Sequence, residues 1–166
     1  MKESLQHVTE NLHTKFTDSI LGVSEYAGDV IVLIHPEKII EVLTYLKEDL
    51  HFMYLADIIA ADRFTSTDRF EVIYNLVSLR EQLRIFVKTR CSEENPSLPT
   101  ATTVWPGANW HEREAYDMFG IRFEGHPDPR RIYMPEDFEY FPLRKEFPLI
   151  GIPGSLELPS TNPDTE

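Results

Sequence analysis

A single cysteine, Cys91, stands in the 166 residues of this chain. A lone thiol cannot close an internal disulfide, and an iron–sulfur cluster normally takes four thiolates, so no cluster is expected in this chain. Apolar runs are short as well. The longest, residues 30–34, is the size of a strand and falls far short of the roughly 18–20 residues a bilayer span requires. The opening MKESLQHVTEN lacks the apolar centre of a signal peptide, so the protein is expected to remain in the compartment where it is made. Basic residues are scarce: 16 Lys and Arg against 28 Asp and Glu give a net charge of -12, a poor match to nucleic acid. No glycine-rich phosphate loop is present, and the six histidines show no close pair of the kind a zinc site uses.

What remains is a globular composition, 42% hydrophobic, enough for one domain with a real core and an appendage. Leu5, Val8, Leu12 and Phe16 recur at helical spacing and predict an amphipathic helix over 4–16. Two β-prone runs, 20–27 and 30–35, flank Gly28-Asp29 and predict a hairpin. Pro36 opens a helix expected over 36–50, with Ile39, Ile40, Leu43, Leu46 and Leu50 facing the core. A buried strand over 52–64 and two alternating strands, 70–79 and 83–88, follow. This pattern predicts an α+β fold, two-layered, with helices packed on a mostly antiparallel mixed sheet, followed by a short helix and an extended irregular C-terminal segment.

The division read from the sequence is an α+β domain over 1–92, a polar linker over 93–104, a helix plus partner-docking segment over 105–149, and a tail over 150–166 that is disordered or ordered only by a partner. The acidic excess grows along the chain, from 10 basic and 14 acidic residues in 1–90 to 6 and 14 in 91–166.

The docking segment opens with a helix predicted over 110–119, capped by Asn109 and stopped by Gly120. Its projection gathers Ala115, Met118 and Phe119 on one side. Arg113, Glu114 and Asp117 gather on the other, with Arg113 and Asp117 spaced to pair and Trp110 set among the charges. That charged strip is expected to face another chain. His111-Glu112 lacks the second histidine of a zinc protease helix, since position 115 is Ala. Glu112, Glu114 and Asp117 could be imagined as acid and base in a hydrolase, but salt bridging along a helix is the plainer account. Beyond the helix, Asp128 lies between two prolines, and Arg130 and Arg131 follow on a stiff mount suited to partner carboxylates; Arg144 and Lys145 repeat the device between Pro142 and Pro148.

The run 105–148 resembles the signature of the C-type subunit of proton-pumping NADH:quinone oxidoreductase, respiratory complex I. The resemblance is carried by Glu112, Arg113, Glu114, Tyr116, Asp117, Phe119, Gly120 and Ile121, by Gly125 to Asp128 with Arg130 and Arg131, and by Pro142 to Lys145 with Phe147 and Pro148. Departures from the family pattern fall at Pro129, Phe138, Tyr140 and Glu146. The resemblance implies a non-redox structural and assembly subunit of the peripheral arm. It would sit on the cytoplasmic side of the membrane, against the quinone-site subunit (D) and near the cluster-bearing subunit (B). FMN and the iron–sulfur clusters would lie in partner subunits, none in this chain, and the catalytic centre would belong to the complex. The expected partner-binding residues are Trp110, Glu112, Arg113, Glu114, Tyr116, Asp117, His126, Asp128, Arg130, Arg131, Arg144 and Lys145. The alternative is a homologous subunit of a membrane-bound energy-converting hydrogenase or related complex.

Overall fold

A computed structural model describes residues 3–151 apart from Ser66, with no side-chain description for the first two of these. The expected tail over 150–166 lies largely outside the described residues.

The first helix, α1 (Glu3–Phe16), turns its Leu5, Val8 and Leu12 stripe into the core. The hairpin strands β1 (Ile20–Tyr26) and β2 (Asp29–Ile34) follow. Their turn is Ala27-Gly28, one residue earlier than the sequence suggested: both have positive φ, 52° and 87°, as a two-residue turn matched to strand twist requires, and Asp29 already pairs with Tyr26. Pro36 starts a single tight turn that runs into α2 (Ile39–Glu48). Strands β3 (Tyr54–Asp62), β4 (Phe70–Ser78) and β5 (Leu83–Cys91) complete the sheet.

The five strands lie in the order β1-β2-β5-β4-β3. Only β2 and β5 are parallel, with Val30 opposite Ile85 and Val32 opposite Val87. Along β4 the residues Phe70, Val72, Tyr74, Leu76 and Ser78 are buried, and β5 buries Leu83, Ile85, Val87, Thr89 and Cys91 in step, so one face of the sheet carries the core against the helices.

The span 93–104 is not a linker. Ser97–Pro99 forms a strand, β6, paired in parallel with β7 (Arg122–Glu124) beyond the third helix, α3 (Ala108–Phe119). Leu98, Ala101, Val104 and Trp105 are buried in the same hydrophobic cluster as the sheet. The Trp105 indole donates to the Met53 carbonyl at 3.0 Å, and Lys47 donates to the Val104 carbonyl. The physical reason is burial: three apolar residues at intervals of three and an indole are costly in water, and the shared core gives them cover. The boundary expected at residue 92 therefore falls inside one continuous core.

Candidate partner-docking site

Helix α3 is held on two sides. Ala115 and Phe119 are buried in the core cluster, with Met118 packed partly against it. The helix ends where Gly120 takes φ 76° and its N–H returns to the Tyr116 carbonyl at 2.8 Å. A Cβ at Gly120 would stand 2.6 Å from the Arg144 guanidinium and from the Phe141 ring, so glycine is required there for space as well as for backbone shape. At the other end the expected Asn109 cap is not formed. Gly107 flanks the helix without a side-chain cap, and Asn109 lies in the first turn, where its carbonyl meets His126 Nε2 at 3.2 Å.

The side expected to face another chain is partly covered by the chain's own extension, residues 125–151, with Trp110 and Glu114 left exposed. Glu112, Arg113 and Asp117 are buried. Arg113 does not pair with Asp117. Its guanidinium donates to the carbonyls of Arg130 (2.8 Å) and Arg131 (3.1 Å), lies 3.5 Å from Asp128, and sits 5.1 Å over the Trp110 ring. Asp117 receives the extension instead. One carboxylate oxygen accepts three successive backbone N–H groups, from Ile132 (3.0 Å), Tyr133 (2.6 Å) and Met134 (3.0 Å), and the other accepts from Arg131 at 2.7 Å. Burial pushes the Asp117 carboxyl up, but these donors together outweigh it and hold the group below the usual carboxylate range.

Arg131 is thus turned inward, its guanidinium between the rings of Phe141 (5.2 Å), Tyr116 (5.9 Å) and Phe138 (5.9 Å). Arg144 is also inward: it donates to the Phe119 carbonyl at 2.7 Å and lies over Phe141 and Phe70. A second clasp, with no signature in the sequence, joins the extension to the sheet. Arg69 forks onto Asp62 at 2.9 and 2.7 Å, and also reaches Glu93 and Glu146, while the Lys145 N–H donates to Asp62 at 2.8 Å. The Arg69 guanidinium holds the Asp62 carboxyl down to about 2.

Of the expected docking residues, Glu112, Arg113, Asp117, His126, Arg131 and Arg144 are therefore held within the chain, because a short polar helix in a core this small gains more from its own extension than from solvent. Asp128 and Tyr116 are half-buried. Trp110 (64% exposed), Glu114, Arg130 and Lys145 remain outside. Arg130 forks onto Asp128 at 2.7 and 2.8 Å, so its charge is already matched inside the chain. The extension also exposes apolar residues outside the expected docking set, Tyr133, Tyr140, Leu143, Leu149 and Ile150. Their signal was apolar side chains in a segment with no periodicity to bury them.

The acid–base reading loses its geometry here: Asp117 has both oxygens engaged, Glu114 is exposed and Glu112 is enclosed. Among the described residues no three His, Cys, Asp or Glu side chains are placed to hold a metal. Burial pushes the Cys91 thiol up to about 11, a poor ligand or nucleophile. One cleft of about 440 Å³ opens beside the helix, lined by Glu112, Tyr116, Phe123, Glu124, His126 and Pro129 among others.

Fold and clasp together define an α+β module with a C-terminal extension wrapped back over its last helix. Residues 32–152 match the family described as respiratory-chain NADH dehydrogenase, 30 Kd subunit, and this chain belongs to that family. It is 51% identical over 157 residues to the second C-type subunit of NADH-quinone oxidoreductase from Rhizobium meliloti (strain 1021), covering 90% of this chain and 86% of the relative. It is 47% identical over 144 residues to the C-type subunit of the same enzyme from Roseiflexus sp. (strain RS-1), covering 86% and 83%. Among solved structures, a trypsin-resistant fragment (1–134) of Nqo5 superposes with a TM-score of 0.66 at 38% identity, covering 75% of this chain and 98% of that one. A chain of an archaeal membrane-bound sulfane sulfur reductase shares the fold, with a TM-score of 0.76 at 24% identity, covering 89% of this chain and 88% of that one. The hydrogenase alternative is not favoured by these relatives. The partners of this chain are other subunits of its complex, and among the described residues no helix is long and apolar enough to cross a membrane.

Proposed function

We propose that this chain is the cofactor-free scaffold of the peripheral arm of an NADH:quinone oxidoreductase. In this reading it sits on the cytoplasmic side of the membrane and docks on the quinone-site subunit (D), close to the cluster-bearing subunit (B). FMN and the iron–sulfur clusters belong to partner subunits, and the complex, not this chain, carries the catalytic centre. The family supplies the subunit identity; the docking role is supported by one observation. An extension ordered by buried arginines leaves Trp110, Tyr133, Tyr140, Leu143, Leu149 and Ile150 facing outward, an apolar display that a chain working alone in water has little reason to keep.

The outer residues then act as contacts, with Trp110, Glu114, Arg130 and Lys145 at the surface. The inner ones, Glu112, Arg113, Tyr116, Asp117, His126, Asp128, Arg131 and Arg144, set the shape that the partner meets. The test is recovery of the tagged chain from native membranes in mild detergent. The quinone-site and cluster-bearing subunits are expected to copurify, and deletion of the chain is expected to leave an arm that does not transfer electrons to quinone. A large-subunit partner bearing paired nickel-ligating cysteines, or full quinone reduction without the chain, would overturn the reading.

A further inference from the structure

Four described carboxylates are buried in this chain: Asp62, Glu71, Glu112 and Asp117. Three have a cationic partner at hydrogen-bond distance, Arg69 for Asp62, Lys88 and Arg90 for Glu71, and Arg131 for Asp117. Glu112 has none. Its oxygens accept from the Ala101 N–H at 2.6 Å and from the Thr100 hydroxyl at 2.5 Å, both neutral. Thr100 Oγ1 is in turn 2.8 Å from Thr102 Oγ1, where either hydroxyl could donate. Thr102 is half-buried, so this file of two hydroxyls leads from the protein surface to an enclosed carboxyl group.

Such a file has two self-consistent directions. With Glu112 ionised, Thr102 donates to Thr100 and Thr100 donates to the carboxylate. With Glu112 neutral, the carboxyl O–H donates to Thr100 and Thr100 donates to Thr102. Every group keeps a partner in both states, and no heavy atom has to move.

The groups facing Glu112 fit either state. From β4 comes Tyr74, whose buried hydroxyl makes no hydrogen bond among the described residues and stays protonated, since burial first and Glu112 second push it well above its ordinary value. From the loop after β7 comes His126, its Nε2 3.8 Å from Glu112. His126 Nδ1 accepts the Asp128 N–H at 3.0 Å, so the ring proton is on Nε2, directed at the Asn109 carbonyl. On α3 itself Arg113 is turned away to the Arg130 and Arg131 carbonyls. Across the cleft Arg122 is engaged by Asn95 and Glu124 by Ser97.

The geometry points to Glu112 as a proton-binding site, loaded and unloaded through the Thr102–Thr100 hydroxyl file. Burial, only partly offset by Thr100 and Ala101, raises its carboxyl to about 7, so the two states interchange near neutral pH.

Carbon-13 NMR of glutamate side-chain carboxyls in the full chain, followed against pH, tests this. One resonance, missing in Glu112→Gln, is expected to titrate near neutrality, its proton affinity on the order of 10²-fold above that of the exposed glutamates. Thr100→Val, which removes a donor to the ionised form, is expected to move that midpoint higher, and Thr100→Ser to restore it. If Glu112→Gln does not fold, the resonance is assigned by connectivity in the wild-type chain and the threonine variants carry the comparison. A Glu112 resonance that titrates with the exposed glutamates, or a midpoint unmoved by Thr100→Val, would overturn the proposal.

Discussion

Asp117 and Arg131 are joined side chain to side chain at 2.7 Å, both shielded from solvent, although fourteen residues and a change of direction separate them. The same Asp117 carboxylate gathers the next three backbone N–H groups, so one helix side chain sets the path of the extension. Asp117→Ala removes four hydrogen bonds and leaves a buried guanidinium unmatched, a change expected to cost about 3–5 kcal/mol. Urea unfolding reads the loss, and amide exchange is expected to rise over 131–141 while the strands β4 and β5 stay protected.

Gly120→Ala combines two penalties. The left-handed backbone costs a residue with a Cβ about 1 kcal/mol or more. The crowding against Phe141 and Arg144 adds a further amount on the order of 1–3 kcal/mol. Destabilisation with increased exchange over 141–148 is the expected result, and unchanged protection there would show that the helix end does not seat the extension.

Acid acts on the Asp62–Arg69 clasp. The Asp62 carboxyl titrates at about 2 in the folded chain against an ordinary 3.8, so its contribution is present above 3.8 and is lost as pH falls from there toward 2. With the side chain fully enclosed, that contribution is about 2 kcal/mol. Glu112 has the opposite sign: its carboxyl is raised from 4.5 to about 7, so stability declines as pH climbs between those values, by roughly 3 kcal/mol. Denaturant midpoints measured from pH 2 to 8 are expected to peak on the mildly acidic side. Asp62→Asn should flatten the acid limb, and Glu112→Gln the limb toward neutrality.

Trp110 separates folding from docking. The residue is 64% exposed and its ring lies over Arg113, so Trp110→Ala is expected to change stability by less than about 1 kcal/mol. If the outer face is the contact, the same variant weakens association with the neighbouring subunit by about 2 kcal/mol or more, measured by pull-down or titration against the purified partner. Arg113→Ala is different, because its guanidinium holds the Arg130 and Arg131 carbonyls; it is expected to lower stability and binding together.

The first ninety residues were legible because their periods are clean. Val8 and Leu12 on a helix, or Phe70, Val72 and Tyr74 on a strand, declare the buried side by spacing alone. The α+β class and the order of elements up to β5 followed from that. Sequence spacing could not place β2 beside β5, since parallel neighbours need no short turn between them. Nor could it show that Ser97–Pro99 pairs with Arg122–Glu124, a three-residue contact across an intervening helix. Of the charged side of α3, Arg113 and Asp117 are turned onto the chain's own extension, while Glu114 stays exposed. Projection of α3 separates an apolar from a charged side, but it carries no information about whether another chain or the extension covers the charges. Asp117 shows why: its partners are backbone N–H groups at 132–134, and every residue type offers those except proline.

The shared core has a consequence for how this polypeptide emerges from the ribosome. When residue 92 leaves the exit tunnel, all five strands of the main sheet exist, but helix α3, which packs on β3, and the Leu98–Trp105 part of the core have yet to be made. Folding of the nascent chain is therefore completed from its trailing half, and until α3 arrives the surface of β3 that it covers is open to chaperones.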